Sequence, residues 1–106
     1  MIEIKISVDF SNTLGGRYIE EGSNSGQQFR NDILEPKYIE AKEKNEKILV
    51  DLDDCYGFPI SFLEEAFGGL ARRYPKDNLL NIIEIKSEDQ PSLIEKIQQY
   101  IKEANK

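Results

Sequence analysis

The amino-acid sequence predicts a small α/β domain with a mixed four-stranded sheet and three to four helices. Short apolar segments with the two-residue period of a strand alternate along the chain with longer segments that have the period of a helix. This alternation predicts parallel pairing and right-handed crossovers for the later strands. With 106 residues the chain is long enough for one hydrophobic core. We therefore expect a single domain over residues 1–106.

The first half of the chain predicts one or two strands and an interrupted helix. Aliphatic and polar residues alternate strictly over residues 1–10, which predicts a strand with one covered face. A glycine-rich stretch follows, and a short second strand is expected around residues 17–20. Ser25 and Gln28 have the spacing of a capping box, so a helix should begin at Gly26. Pro36 predicts a kink or break, with a second helical piece over residues 37–44.

The second half predicts two strands and two helices. The apolar run over residues 48–52 is flanked by charges, which predicts a central strand buried on both faces, with its core side chains beside Phe67 and Leu70. Residues 60–74 have helical spacing and Pro75 follows them. A strand is expected over residues 78–86, and Asp89 with Pro91 should open the last helix.

Composition excludes several classes of function. The formal net charge is −6, so the molecule should repel nucleic acid and anionic membrane surfaces. No apolar segment is long enough to cross a membrane or to form a signal peptide, so a cytoplasmic location is expected. The chain has one cysteine and no histidine, which excludes an internal disulfide, the usual zinc sites and Ser/His nucleophile pairs. We therefore expect a non-enzymatic protein without a metal or a cofactor.

Two blocks of the sequence carry a family resemblance. The segments "GGRYIEEGSNSGQQFR" and "VDLDDCYGFPISFLEEAFGGLARR" resemble the bacterial STAS-like domains of unknown function over residues 15–73. The family name implies a fold similar to that of sulfate-transporter and anti-sigma-factor-antagonist domains, which are small α/β binding modules. The resemblance implies a regulatory module with a protein partner, such as a histidine-kinase-like ATPase or another regulator.

Ser61 is the first candidate site residue, together with Phe62, Glu64 and Glu65. Alignment with the anti-sigma factor antagonists places Ser61 on their phosphorylated serine, although Pro59 and Phe62 replace the aspartate and glycine that flank it there. The residues themselves offer a second reading, because Ser61 and Glu64 have the spacing of a capping box. The hypothesis of a phosphorylated, partner-binding serine and the hypothesis of a helix cap both stay open.

The glycine-rich turn supplies the alternative site, formed by Arg17, Ser25, Gly26 and Arg30. Glycines allow close backbone approach, arginines bind anions, and a helix start at Ser25 would present free amides. This combination is typical of an anion or nucleotide pocket, and the domain would then be a small-ligand sensor. A structural turn explains the same glycines without a ligand.

Overall fold

The three strands form one parallel sheet in the order β1-β2-β3. The structure is a computed structural model that describes residues 1–104. Strands β1 (Ile2–Lys5), β2 (Ile48–Asp51) and β3 (Ile83–Lys86) align so that Ile2, Ile48 and Ile83 lie side by side. The two connections step across the sheet in the same direction. Since parallel crossovers are right-handed, the connecting helices cover one face of the sheet and leave the other face open.

The chain forms four helices within residues 1–104. Two of them change geometry along their length, because a wider π turn separates two α-helical pieces. The helices and their parts are α1 (Ile6–Asp9); α2, residues 26–44, made of Gly26–Phe29, the π turn Arg30–Leu34 and Glu35–Lys44; α3, residues 60–73, made of Ile60–Leu63, the π turn Glu64–Gly68 and Gly69–Arg73; and α4 (Ser92–Ala104). Short 3-10 turns occupy Ile19–Glu21 and Leu79–Asn81, so the strand predicted over residues 78–86 begins only at Ile83.

The predicted four-stranded mixed sheet is wrong in one element. The residues around 17–20 form part of a 3-10 turn, so the described chain has three strands, all parallel. The first strand is also shorter than its alternating pattern. The chain turns into α1 at Ile6, where the side chain of Asp9 accepts a hydrogen bond of 2.8 Å from the backbone amide of Lys5. A local side-chain acceptor thus ends the strand although the alternation continues.

Pro36 does not break α2. The π turn Arg30–Leu34 lies directly before it, and Pro36 is the second residue of the α-helical piece that follows. A π turn shifts the backbone hydrogen bonds from the fourth to the fifth neighbour. This shift makes room for the proline ring and removes the need for its missing amide. The helix therefore continues to Lys44, where Asn45 ends it in the left-handed conformation.

The core lies between the covered sheet face and the helices. Ile48, Val50 and Leu52 are buried beside Phe67 and Leu70, as the apolar run predicts. The central position of β2 is confirmed, but its burial on both faces is wrong. Its alternate residues Leu49 and Asp51 are only half-buried because they point to the open face, where charged residues of β1 and β3 flank them.

Candidate functional site

Ser61 lies in the first turn of α3 but does not cap it. The helix begins at Ile60, and Pro59 occupies the capping position with an extended backbone and no side-chain acceptor. Ser61 lies two positions beyond the capping position, too far along the helix to accept from the third amide. The predicted capping box is wrong for this serine. Its other member, Glu64, turns instead toward two arginines.

The surface around Ser61 is apolar and exposed. Ile60 is 63% exposed and Tyr56, in the loop between β2 and α3, is 85% exposed. Pro59 is exposed as well, and Ser61 itself is partly exposed. The residues Tyr56, Pro59, Ile60 and Ser61 are called the α3 entry surface below. It lies at the carboxyl end of β2, the edge where parallel sheets commonly bind their ligands.

Phe62 supports the α3 entry surface from within the core. Its ring is fully buried and lies 5.8 Å from the ring of Phe29 and 6.2 Å from that of Phe58, measured between centroids. The prediction placed Phe62 among the partner-binding residues. Burial of the ring leaves it no surface for a partner, because the side chain at this position of the helix points toward α2 and the sheet.

Glu64 and Glu65 form ion pairs with three arginines. Glu64 binds Arg17 and, at 2.7 Å, Arg72. Glu65 is 8% exposed and pairs with Arg30, which also donates to the backbone carbonyl of Glu65 at 2.9 Å. Arg17 reaches Glu65 as well, at 3.5 Å. These five residues, called the arginine–glutamate cluster below, carry one net positive charge and hold α2 and the glycine-rich turn against α3.

The ion pairs shift the ionisation of the cluster. The hydrogen bond from Arg72 is the main cause that lowers the pKa of Glu64, and Arg17 adds to it. The hydrogen bond to Glu64 raises the pKa of Arg17 and of Arg72. The carboxylate of Glu64 and its guanidinium partners therefore stay charged at neutral pH.

Two glycines in α3 make room for the cluster. A Cβ atom on Gly69 would overlap Nη1 of Arg30, and one on Gly68 would lie 2.5 Å from Oε2 of Glu64. Adjacent glycines inside a helix predict a close approach of the helix to the sheet or to a partner. The structure instead places the guanidinium of Arg30 against Gly69 and the carboxylate of Glu64 against Gly68. The sequence gives no sign that Arg72 belongs to the cluster, because its partner Glu64 lies two turns away across a π turn.

The glycine-rich turn brings Arg17 and Arg30 together on Glu65. The first amides of α2 are already bonded: Gly26 donates to the carbonyl of Gly16 at 2.9 Å, and Gln27 donates to that of Arg17 at 3.0 Å. Ser25 caps the helix as predicted, accepting from Gln28 at 3.1 Å. Ser25 and Gly26 are both buried. The turn thus supports the start of α2, and its two arginines already form ion pairs with Glu64 and Glu65.

The acidic residues after β2 are engaged in loop contacts. One carboxylate oxygen of Asp53 accepts from the amides of Glu88 and Asp89, and Asp54 pairs with Lys5 at 2.7 Å.

Burial, followed by the charge of Asp54, raises the pKa of the Cys55 thiol to about 11, in the direction that its acidic neighbours predict. Cys55 is therefore a packing residue. Within residues 1–104 no group of three or more potential ligand side chains is placed to hold a metal ion.

Comparison with known proteins identifies the family. No helix in the described part of the chain has the length and apolar character that a membrane crossing requires. Searches among curated proteins and among solved structures find no match. The sequence pattern of the STAS-like domain of unknown function (DUF4325) matches residues 25–93, a range that runs from the cap of α2 through β2, α3 and β3 to the start of α4. The chain therefore belongs to the STAS-like domains of unknown function.

Proposed function

We propose that this domain is a non-enzymatic regulatory module that docks a protein partner through the α3 entry surface. The observation that carries the proposal is the exposure of Tyr56 and Ile60 on either side of Pro59. Large apolar side chains that cluster on the surface of a small acidic protein are typical of protein interfaces, where aromatic residues supply much of the binding energy. The first partners to test are a histidine-kinase-like ATPase or another regulator, the class that the family resemblance implies.

Phosphorylation of Ser61 is the proposed switch of this docking. A phosphate of about −2 charge at a helix start would interact favourably with the helix dipole. Four carboxylates nearby argue against it at first sight, but each has other partners: arginines for Glu64 and Glu65, backbone amides for Asp53, and Lys5 for Asp54. The arginine–glutamate cluster, one turn along the helix, adds a net positive charge.

The test uses a partner recovered by pull-down and titrated against purified variants by calorimetry. We expect Ile60→Asp to weaken binding by at least tenfold, since it places a charge in an apolar contact. Ser61→Asp should also weaken binding while Ser61→Ala preserves it, because only the former mimics the added charge. Melting curves of each variant separate lost binding from lost folding.

Ile39→Asp is the matched control. Ile39 is an exposed isoleucine on α2, outside the α3 entry surface, and the same substitution there should leave binding unchanged. Equal affinities of the wild type and Ile60→Asp would contradict docking at this surface. If Ile60→Asp weakens partner binding but Ser61→Asp binds like the wild type, the docking proposal stands and the proposed phosphorylation switch does not.

The small-ligand alternative stays a prediction. An anion at the glycine-rich turn would have to replace Glu64 and Glu65 as the partner of Arg17 and Arg30. No observation at that turn favours a ligand over the carboxylates already present. The α3 entry surface is therefore the site that the geometry supports best.

A further inference from the structure

The two edge strands of the sheet have the same sequence but different surroundings. Both β1 and β3 read Ile-Glu-Ile-Lys, and both align with β2 in the same register. Ile4 of β1 and Ile85 of β3 therefore stand at the same level, one on each side of Val50. Ile4 is 1% exposed, whereas Ile85 is only partly buried. The edge at β3 is thus the less covered of the two.

The backbone groups of the two tetrapeptides alternate in opposite senses. The amide of Ile2 donates to the carbonyl of Lys47, just before β2, so Glu3 and Lys5 direct their backbone groups away from the sheet. On the other side, the carbonyls of Ile82 and Lys86 accept from Ile48 and from Leu52, just after β2, so Ile83 and Ile85 direct theirs outward. The same four residues therefore present charged positions at one edge and apolar positions at the other.

A groove runs along the outer edge of β3. It has a volume of about 320 Å³ and lies between the strand and α4. Its lining consists of five aliphatic residues and two polar ones: Leu80, Ile83, Ile85, Ile94 and Ile101, with Glu84 and Gln98. At β1 the outward amide of Lys5 already donates to Asp9. No side-chain acceptor within residues 1–104 is bonded to the outward amide of Ile85. The β3 edge thus combines a free backbone donor with a groove that is lined mainly by aliphatic side chains.

We propose that β3 pairs antiparallel with β3 of a second copy of this chain, which joins two three-stranded sheets into one of six strands. The outward direction of Ile85 allows it to face Ile85 of the second copy as a hydrogen-bonded pair. This register places Glu84 opposite Lys86 of the second copy, and the two-fold axis repeats that pair. The tetrapeptide is therefore complementary to itself in charge, and Ile85 of each copy fills the neighbouring groove.

The same pairing at β1 is unfavourable. An antiparallel pair there centred on Glu3 or Lys5 places two like charges directly opposite each other, which destabilises a strand pair. A pair centred on Ile4 would place Glu3 opposite Lys5, but it needs the outward amide of Lys5, which already donates to Asp9 where the chain turns into α1. The association is thus limited to the β3 edge, and it closes as a dimer instead of growing into a filament.

Sedimentation equilibrium over a range of protein concentrations tests the proposal. We expect the wild type to form a dimer, and Glu84→Lys or Lys86→Glu to raise its dissociation constant about tenfold through two like-charge pairs. The double variant Glu84→Lys/Lys86→Glu should restore the dimer because the opposite charges face each other again. Ile85→Pro should leave only monomer, since proline removes the outward amide while the bonds to β2 remain.

Glu3→Lys makes the matched control, with the same change at the same place in the twin tetrapeptide. It should leave the dissociation constant unchanged. Circular dichroism and melting curves confirm that each variant is folded before its mass is compared. A wild type that stays monomeric at every concentration would overturn the proposal. So would a dimer that survives Ile85→Pro, or one that Glu3→Lys weakens as much as Glu84→Lys does.

Discussion

At the scale of single residues, Glu65 is the charge most dependent on its partner. It is buried where α2 meets α3, and Arg30 supplies the opposite charge. Removal of one member of a buried ion pair leaves the other charge without solvent or partner. We expect Glu65→Ala to lower the free energy of unfolding by about 3 kcal/mol or more. Urea denaturation followed by circular dichroism measures this change.

Glu40 provides the comparison for that measurement. Its carboxylate pairs with Lys44 on the exposed side of α2, so water can replace the partner. Glu40→Ala should leave the denaturation midpoint nearly unchanged. If Glu65→Ala and Glu40→Ala shift the midpoint equally, the buried pair does not hold the helices together.

The two serines show what local sequence could predict. Ser25 and Ser61 are each followed three residues later by Gln or Glu, the spacing of a capping box. The pattern correctly predicts Ser25 as a cap but fails for Ser61, because Pro59 fixes an extended conformation two residues earlier and the helix begins at Ile60. Glu64 is also held away from the capping role by its ion pair with Arg17, which lies 47 residues away in the chain.

At the scale of elements, Gly69 makes the crossing of α2 and α3 possible. In an isolated helix, alanine in place of glycine is favourable by about 1 kcal/mol. Here the added Cβ atom would overlap the guanidinium of Arg30, which is buried and has little room to move. We therefore expect Gly69→Ala to lower the melting temperature despite its better helix propensity.

Gly68→Ala tests the same argument from the neighbouring position. Its Cβ atom would meet the tip of Glu64, whose side chain and partner Arg72 are partly exposed and can shift. The loss in melting temperature should therefore be smaller than for Gly69→Ala. Equal effects of both substitutions would show that the position of Arg30 does not depend on Gly69.

The sequence predicts where the strands and helices lie but not the geometry inside the helices. Periodicity predicts all three strands and the start of α3, because each element buries a regular set of apolar side chains. The start of α2 is predicted by the capping-box spacing of Ser25 and Gln28. Periodicity could not predict the π turns, which contain Arg30 and Glu65, because this ion pair joins residues that are 35 positions apart in the chain. It also could not reveal the open sheet face, because the half-buried Leu49 gives β2 the appearance of a fully buried strand.

At the scale of the whole molecule, stability should depend on pH only at the extremes. The sequence contains no histidine, so no side chain has an ordinary pKa of about 6.5. Arg72 lowers the pKa of Glu64, and Lys42 followed by Tyr38 lowers that of Asp77. A carboxylate with a lowered pKa stabilises the folded state above its unfolded pKa, and this contribution is lost as the pH falls through the folded value.

Thermal melts across pH check this expectation. The melting temperature should be nearly constant from about pH 5 to pH 9 and fall below about pH 4, the ordinary pKa of carboxylates. Asp77→Asn should make the acid decline shallower, because it removes one of the groups that must take up a proton. A distinct step in melting temperature near pH 6.5 would contradict the expectation that carboxylates alone determine the loss of stability in acid.

The π turns also make the number of residues in α2 and α3 part of the fold. Each residue of an α-helix turns the chain by about 100°, so loss of one residue from Arg30–Leu34 would rotate Gly26–Phe29 by that angle relative to Glu35–Lys44. Phe29 and Tyr38 could then no longer face the same core. The loop over residues 53–59 has no helical register to keep: Asp53 and Phe58 anchor its two ends, and the exposed Tyr56 lies between them. Natural insertions and deletions among relatives should therefore collect in that loop, beside the α3 entry surface, where a change of length would alter the partner and leave the core intact.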